Sequence, residues 1–335
     1  MIPITLATTT TTTTYTYAGL ANIVKRVQLN ISDGTSNRMQ TDATGWGLIR
    51  RAARVLSGLD INTLGCIGVS LNARETASAN STSGKTYYLT IPLLFKHPQI
   101  SDPVGSIFML PLPRYNTNPV LTVFFDAATA VASAQGTGFG ITIGSPYIVQ
   151  VQRQVNNITF PTVETEVREL TQTQSSTGNN QIFNLDIPGS YSAIDIYTVN
   201  SSGVPTDISP GPAANGFWTL QFLGQQIRQF NLFDVKTQEQ YSMGNDMYFQ
   251  NQGGANALVD VDYFPGLFHL DFLHDQYGME VAELGSLLNV NVLAGSGAQL
   301  QLNMNIGSTG TVSVVAERFF GDLSGYGLTY NPSGN

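Results

Sequence analysis

The chain has 335 residues with a formal net charge of -8, and only 11% of them are charged. At that length two domains of ordinary size and a full core are expected, and 15 Lys and Arg supply no basic field for holding phosphate backbones by counterion release, so direct contact with nucleic acid is not expected. The single cysteine, Cys66, excludes an internal disulfide framework and a cysteine-cluster zinc site, and it reads as a small core residue.

The first dozen residues lack a basic, then apolar, leader. No run approaches the ~18–20 apolar residues of a bilayer-spanning helix. A chain made and folded in a cytoplasm is the expectation. Abundant Thr, Ser, Asn, Gln and Gly favour β-structure with many turns.

The opening MIPITLATTTTTTTYTY is low-complexity, with seven consecutive threonines from Thr8 to Thr14. Residues 1–19 read as a flexible N-terminal arm, either a disordered tail or a segment that orders by adding to a neighbouring subunit. Asn22 to Ile31 is the first strand, with Ile23, Val27, Leu29 and Ile31 on one face. GWGLIRRAARVLSG is the one strongly helical stretch: Leu48, Ile49, Ala52, Ala53, Val55 and Leu56 recur at three- and four-residue spacing, and Arg50, Arg51 and Arg54 fill the remainder. Such a helix can lie on an anionic membrane, but packing on its own barrel is the expected fate.

Further strands follow at Leu64 to Leu71, Tyr87 to Phe95, Ser106 to Leu112, Val120 to Phe125, Phe139 to Ile143 and Tyr147 to Val155. Pro161 and Asn156-Asn157 stop the ladder, placing a joint around Thr159 to Glu164. Beyond it come ETEVRELTQTQ, QIFNLDI, SAIDIYTVN, FWTLQFL, Ile227 to Val235, Gly266 to Phe272, Gly285 to Leu293, Gln299 to Ile306 and Thr311 to Phe319. Gln299 to Ile306 alternates most cleanly, with Leu300, Leu302, Met304 and Ile306 inward. Two successive groups of about eight short strands predict an all-β fold of two tandem eight-stranded jelly-roll sandwiches with a few short helices. The boundaries are 20–158 for the first and 159–335 for the second, with the joint as the hinge of a duplicated barrel.

Catalytic motifs are weak. Ala79 to Thr86 (ANSTSGKT) fits a phosphate-binding loop in letters, and Val120 to Asp126 could pose as its magnesium-holding strand. A phosphate loop must open a helix, whereas TYYLTIPLLF follows here. His269, Asp271, His274 and Asp275, with Asp260 and Asp262 before them, are potential metal ligands close in sequence. The chain has only three histidines, at 97, 269 and 274, without a His-x-His pair, so a strand ending in a polar turn is expected. A surface calcium at Asp260 and Asp262 lacks a loop signature. Glu164, Glu166 and Glu169 beside Arg168 read as a solvated strand face. Gly136, Gly138 and Gly140 read as loop glycines, since a strand follows them. No enzyme, catalytic residue, metal site or cofactor is expected.

Four stretches carry a resemblance: NIVKRVQLNI; TEVRELTQTQSSTGNNQIFNLDIPGSYSAIDIYTV; GLFHLDFLHDQYGMEVAELGSLLNVNV; and QLQLNMNIGSTGTVSVVAERF. With the strands between them, the chain resembles the double jelly-roll major capsid proteins of tailless icosahedral viruses and phages with an internal membrane. The resemblance implies a homotrimer whose barrels form a nearly hexagonal capsomer. It also implies contacts to neighbouring capsomers, minor capsid or vertex proteins and an internal membrane surface, in a virion assembled in the host cytoplasm. The alternative is a carbohydrate- or receptor-binding sandwich, spike or lectin-like adhesin, but Trp46 and Trp218 are the only tryptophans and both read as internal. A cupin-type metal enzyme ranks third.

Overall fold

The structure is a computed structural model of the full chain. It describes residues 1–7, 13–32, 37–55, 85–95, 118–149, 164–185, 189–211, 214, 216–222, 224–235, 247–251, 258–262, 266–272, 288–290 and 300–320. The described residues up to 149 belong to one compact unit and those from 164 onward to a second. The expected strands Leu64 to Leu71 and Ser106 to Leu112 lie outside the described residues.

In the first unit the strands are β1 (Ile2–Leu6), β2 (Thr14–Tyr15), β3 (Val24–Ser32), β4 (Asn37–Ala43), β5 (Lys85–Leu89), β6 (Val120–Phe125), β7 (Ala132–Ala134) and β8 (Ile141–Ile143). Strand β3 buries Val24, Val27, Leu29 and Ile31 and pairs antiparallel with β4 on one side and β6 on the other. Asp42 ties the β3–β4 hairpin, its Oδ1 accepting from Arg26 Nε at 2.5 Å and from Gln28 Nε2 at 3.2 Å. Helix α1 (Gly45–Val55) starts where Thr44 Oγ1 accepts the Gly47 amide at 2.9 Å, a side-chain cap for one of the orphan donors of the first turn.

The expected apolar stripe of α1 is buried at Leu48, Ile49 and Ala52. The expected packing of the helix within its own unit extends to its arginines: Arg50 and Arg51 are 2% and 4% exposed. The Arg50 guanidinium lies 5.8 Å from the Trp46 ring centroid, and Arg51 Nη1 donates to the Leu94 carbonyl at 3.1 Å. With both cations turned inward, α1 does not present them to a lipid surface.

The described residues of the expected arm, 1–7 and 13–19, are not free. β1 is the central strand of the sheet β5-β1-β8, with Ile2 opposite Leu89, and Ile4 between Tyr87 and Ile143. Ile2, Ile4, Leu6 and Leu89 are buried, while Thr5 and Thr86 bond through their hydroxyls at 2.8 Å on the opposite, exposed face. The alternation of IPITL therefore operates as a half-buried strand, and β2 continues the attachment by pairing with β7. A four-residue helix α2 (Ala128–Val131) links β6 to β7.

The second unit contains β9 (Glu164–Gln174), β10 (Gly178–Asn184), β11 (Gly189–Asn200), β12 (Phe217–Phe222), β13 (Gln225–Asn231), β14 (Met247–Asn251), β15 (Leu258–Asp262), β16 (Leu267–Asp271), β17 (Leu288–Val290), β18 (Leu300–Ile306) and β19 (Gly310–Phe320). Two antiparallel sheets organise it, in the orders β16-β11-β19-β9 and β10-β18-β12-β13. β14 and β15 pair as a separate ribbon, and β17 adds to the end of β11. With β14, β15 and β17 set aside, the remaining strands count 6-3-8-1 and 2-7-4-5 along the two sheets, the order of a jelly roll built from two Greek keys. Between the sheets lies one cluster that includes Phe183, Tyr191, Ile194, Ile196, Trp218, Leu220, Phe230, Leu302 and Val314.

Two glycines fix the far end of β11. A Cβ on Gly310 would lie 2.0 Å from the Val199 carbonyl oxygen, and one on Gly266, at φ +74°, 2.3 Å from that of Thr198. Both neighbours of β11 can close in there only because these positions lack a side chain.

Several strands are shorter than their alternation predicts. The expected strand Tyr87 to Phe95 ends at Leu89, and that from Phe139 begins at Ile141. At the start of Tyr147 to Val155, residues 147–149 are not strand, with Ile148 and Val149 70% and 65% exposed; the rest lies outside the described residues. The expected run Ile227 to Val235 breaks at Asn231, whose Oδ1 accepts the Asp234 amide at 2.6 Å and caps a helical turn over 232–235. Replacing Asn231 with Ala should cost about 1 kcal/mol, read as a lower denaturant midpoint; an unchanged midpoint would show the cap to be idle.

Candidate functional site

Many residues of β16-β11-β19-β9 that point away from the cluster are also buried, although Thr171 and Thr173 at the far end of β9 are exposed. Asp195, His269, Glu169 and Glu317 lie there among Ala193, Val167 and Val315. His269 stands directly across from Asp195, and its Nδ1 meets Asp195 Oδ1 at 2.5 Å. This pair clips β16 to β11. On the other side of the same sheet, Arg318 Nη2 donates to Glu166 Oε2 across the β19–β9 pairing. Both partners are buried, so each charge depends on the other for its solvation. The expectation of a solvated face at Glu164, Glu166 and Glu169 is thus corrected at Glu166 and Glu169. The charge alternation marks a sheet covered on both sides.

The sheet β10-β18-β12-β13 has one open face. Its core side carries Phe183, Trp218, Leu220, Phe230, Leu300, Leu302, Met304 and Ile306. Its outward side carries Ile182, Asn184, Phe217, Thr219, Gln221, Gln229, Gln301, Asn303 and Asn305. Cross-strand amide bonds order this side: Gln301 Nε2 donates to Asn184 Oδ1 at 3.0 Å and Asn303 Nδ2 to Asn180 Oδ1 at 3.3 Å. Ile182 and Phe217 are exposed among them. The one charged residue in these four strands, Arg228, stands opposite Leu220 on the core side, where burial lowers its guanidinium pKa from the ordinary arginine value. Within the four strands the outward side therefore bears no formal charge; the exposed Asp234 carboxylate, which accepts from Asn231 opposite Phe217, stands at its β13 edge.

The sequence candidates for chemistry do not converge. Lys85 and Thr86 open strand β5 instead of a helix; the rest of ANSTSGKT lies outside the described residues. Asp126 caps the turn after β6, its Oδ1 accepting the Ala127 amide at 2.8 Å. Asp271 ends β16, Asp260 and Asp262 lie on β15, and His274, Asp275, His97 and Cys66 fall outside the described residues. Among the described residues no group of three or more His, Cys, Asp or Glu is arranged to hold a metal ion, and no helix is long and apolar enough to cross a membrane. Gly136 closes a turn by accepting the Phe139 amide at 3.0 Å, and Gly138 takes φ +86° before β8, as loop glycines do. Trp46 and Trp218 are both buried. The amide-lined outward side was the feature sequence reasoning missed; the recurrence of Asn and Gln opposite each inward residue of β18 is the signal that marks it.

The fold is all-β and is the double jelly roll of viral major capsid proteins. The chain is similar to the STIV major capsid protein, at 11% identity, covering 98% of this chain and 90% of that one with a TM-score of 0.53. It is similar as well to a chain in the atomic structure of Sulfolobus turreted icosahedral virus, at 12% identity, covering 95% and 81% with a TM-score of 0.54. The major capsid protein P2 of bacteriophage PM2 aligns over 95% of this chain and 86% of its own at 14% identity and a TM-score of 0.48. No family model matches the sequence, and no curated protein matches it.

Proposed function

We propose that this protein is a major capsid protein, a non-enzymatic subunit that trimerises into pseudo-hexameric capsomers and tiles an icosahedral shell around a membrane in the virion. The carrying observation is the shared fold along nearly the whole chain, 98% of it against the STIV major capsid protein. In this reading the expected first jelly roll, 20–158, takes in β1 and β2 as well, and with the second, 159–335, makes two barrels in one subunit, so three subunits present six barrels and a nearly hexagonal outline. Each subunit meets neighbouring capsomers and minor or vertex proteins through its loops, and the inner end faces lipid. The net charge of -8 suits a shell that lipid separates from its genome. Host-cytoplasm assembly belongs to the same proposal.

Native mass measurement of the recombinant protein should give a trimer, and electron micrographs of concentrated material should show hexagonal tiles or closed shells. A stable monomer at all concentrations would count against the capsomer.

A further inference from the structure

In the second unit, the sheet β16-β11-β19-β9 is buried on both faces except at Thr171 and Thr173 at the end of β9, whereas the sheet β10-β18-β12-β13 keeps one face open along its strands. We propose that this open face docks a second copy of the chain and is the second unit's contribution to the subunit interface. The inference rests on the capsomer reading and adds to it the surface that does the docking.

Charge selects the occupant. Each copy carries a formal net charge of -8, so identical subunits repel, and their approach is least opposed where no charge must be desolvated and none faces its like. The strand residues of the outward side meet that condition, the one carboxylate beside them being Asp234 at the β13 edge, bonded to Asn231.

Composition points the same way. Interface cores are depleted of charged residues and enriched in aromatics, and here Phe217 and Ile182 stand exposed at 37% and 50% within a field of amides. The Gln301–Asn184 and Asn303–Asn180 bonds hold side chains in place before contact, which reduces the ordering cost of association. Amides both donate and accept, so they pair with an uncharged neighbour without leaving a buried charge. In a closed ring of three the contact is heterologous: this face meets a different surface on the next copy.

The test replaces amides with isosteric carboxylates on the open face. Gln221→Glu/Gln229→Glu in the full chain, followed by native mass measurement and sedimentation over a concentration series, should raise the concentration at which the trimer dissociates at least tenfold. Ser202→Glu, on an exposed turn that contributes no strand residue to this sheet, should leave it unchanged. A wild-type trimer with an equally stable double variant overturns the inference and leaves the capsomer reading standing. A monomeric wild type overturns both.

A second measurement covers the case in which the double variant does not fold. Gln229→Cys, separated from Cys66 by the mass of the labelled peptide, should react with maleimide in dissociated protein and be protected in the trimer, while Ser202→Cys reacts in both. Equal labelling of both cysteines in the trimer overturns the inference.

Discussion

Trp218→Ala is expected to destabilise the second unit by about 3–5 kcal/mol, the range for emptying a buried aromatic site. Trp218 is completely buried, at 0% exposure, among Phe183, Leu220, Phe230, Leu302 and Met304. The same cluster draws Tyr191, Ile194, Ile196 and Val314 from the other sheet, so collapse into the void would have to move strands that hydrogen bonds hold in register. Its Nε1 also donates to the Asn305 carbonyl at 3.0 Å, which ties the core residue of β12 to the backbone of β18. Trp218→Phe keeps much of the volume and loses the hydrogen bond, so it should cost less. Chemical denaturation can separate the two units, because the remaining Trp46 reports the first by fluorescence while circular dichroism follows both. A loss below about 1 kcal/mol for the alanine variant would show that Trp218 is not a keystone of this cluster.

The stretch of clearest alternation, Gln299 to Ile306, was legible because one face of β18 is buried and the other is open, with the burial switching at every residue. β9 was legible as a strand but not as a covered one. Over residues 165–169 both of its faces are largely buried, and the carboxylate of Glu166 reflects a partner that arrives from far along the chain: Arg318 lies 152 residues from Glu166. A local pattern carries no record of such a partner, and for the same reason the jelly-roll strand order could not be read beyond a strand count.

Errors at the other strands have equally local causes. Tyr147 to Val155 alternates in letters, yet alternation supplies only the capacity to pair, and the exposed Ile148 and Val149 have no strand across from them among the described residues. In α1 the packing was expected, but the sequence did not show what would receive the arginines; the Trp46 ring and the Leu94 carbonyl accommodate Arg50 and Arg51 inside. The open amide face was present in the sequence as Gln301, Asn303 and Asn305, but neutral side chains signal solvent and interface alike until the sheet around them is known.

Removing residues 1–7 should cost the first unit its stable fold, an effect on folding that precedes any effect on assembly. β5 and β8 pair with β1 and not with each other, so the deletion leaves two strands without their shared partner. It also uncovers Leu89 and removes the buried Ile2, Ile4 and Leu6. At ~1.5–3 kcal/mol for each buried aliphatic side chain, the loss is roughly 5–9 kcal/mol as an upper bound, comparable with the ~5–15 kcal/mol that holds a whole domain together. The truncated chain should therefore be poorly soluble, with red-shifted Trp46 emission, while Trp218 stays buried. A peptide of residues 1–7 added during refolding should restore it in part, since a β-strand can be supplied in trans to an open slot. Thr5→Ala, on the exposed face of the same strand, should be nearly silent. Truncated protein that melts at the wild-type temperature would show that β1 decorates the first unit without supporting it, and would return the segment to the role of an arm.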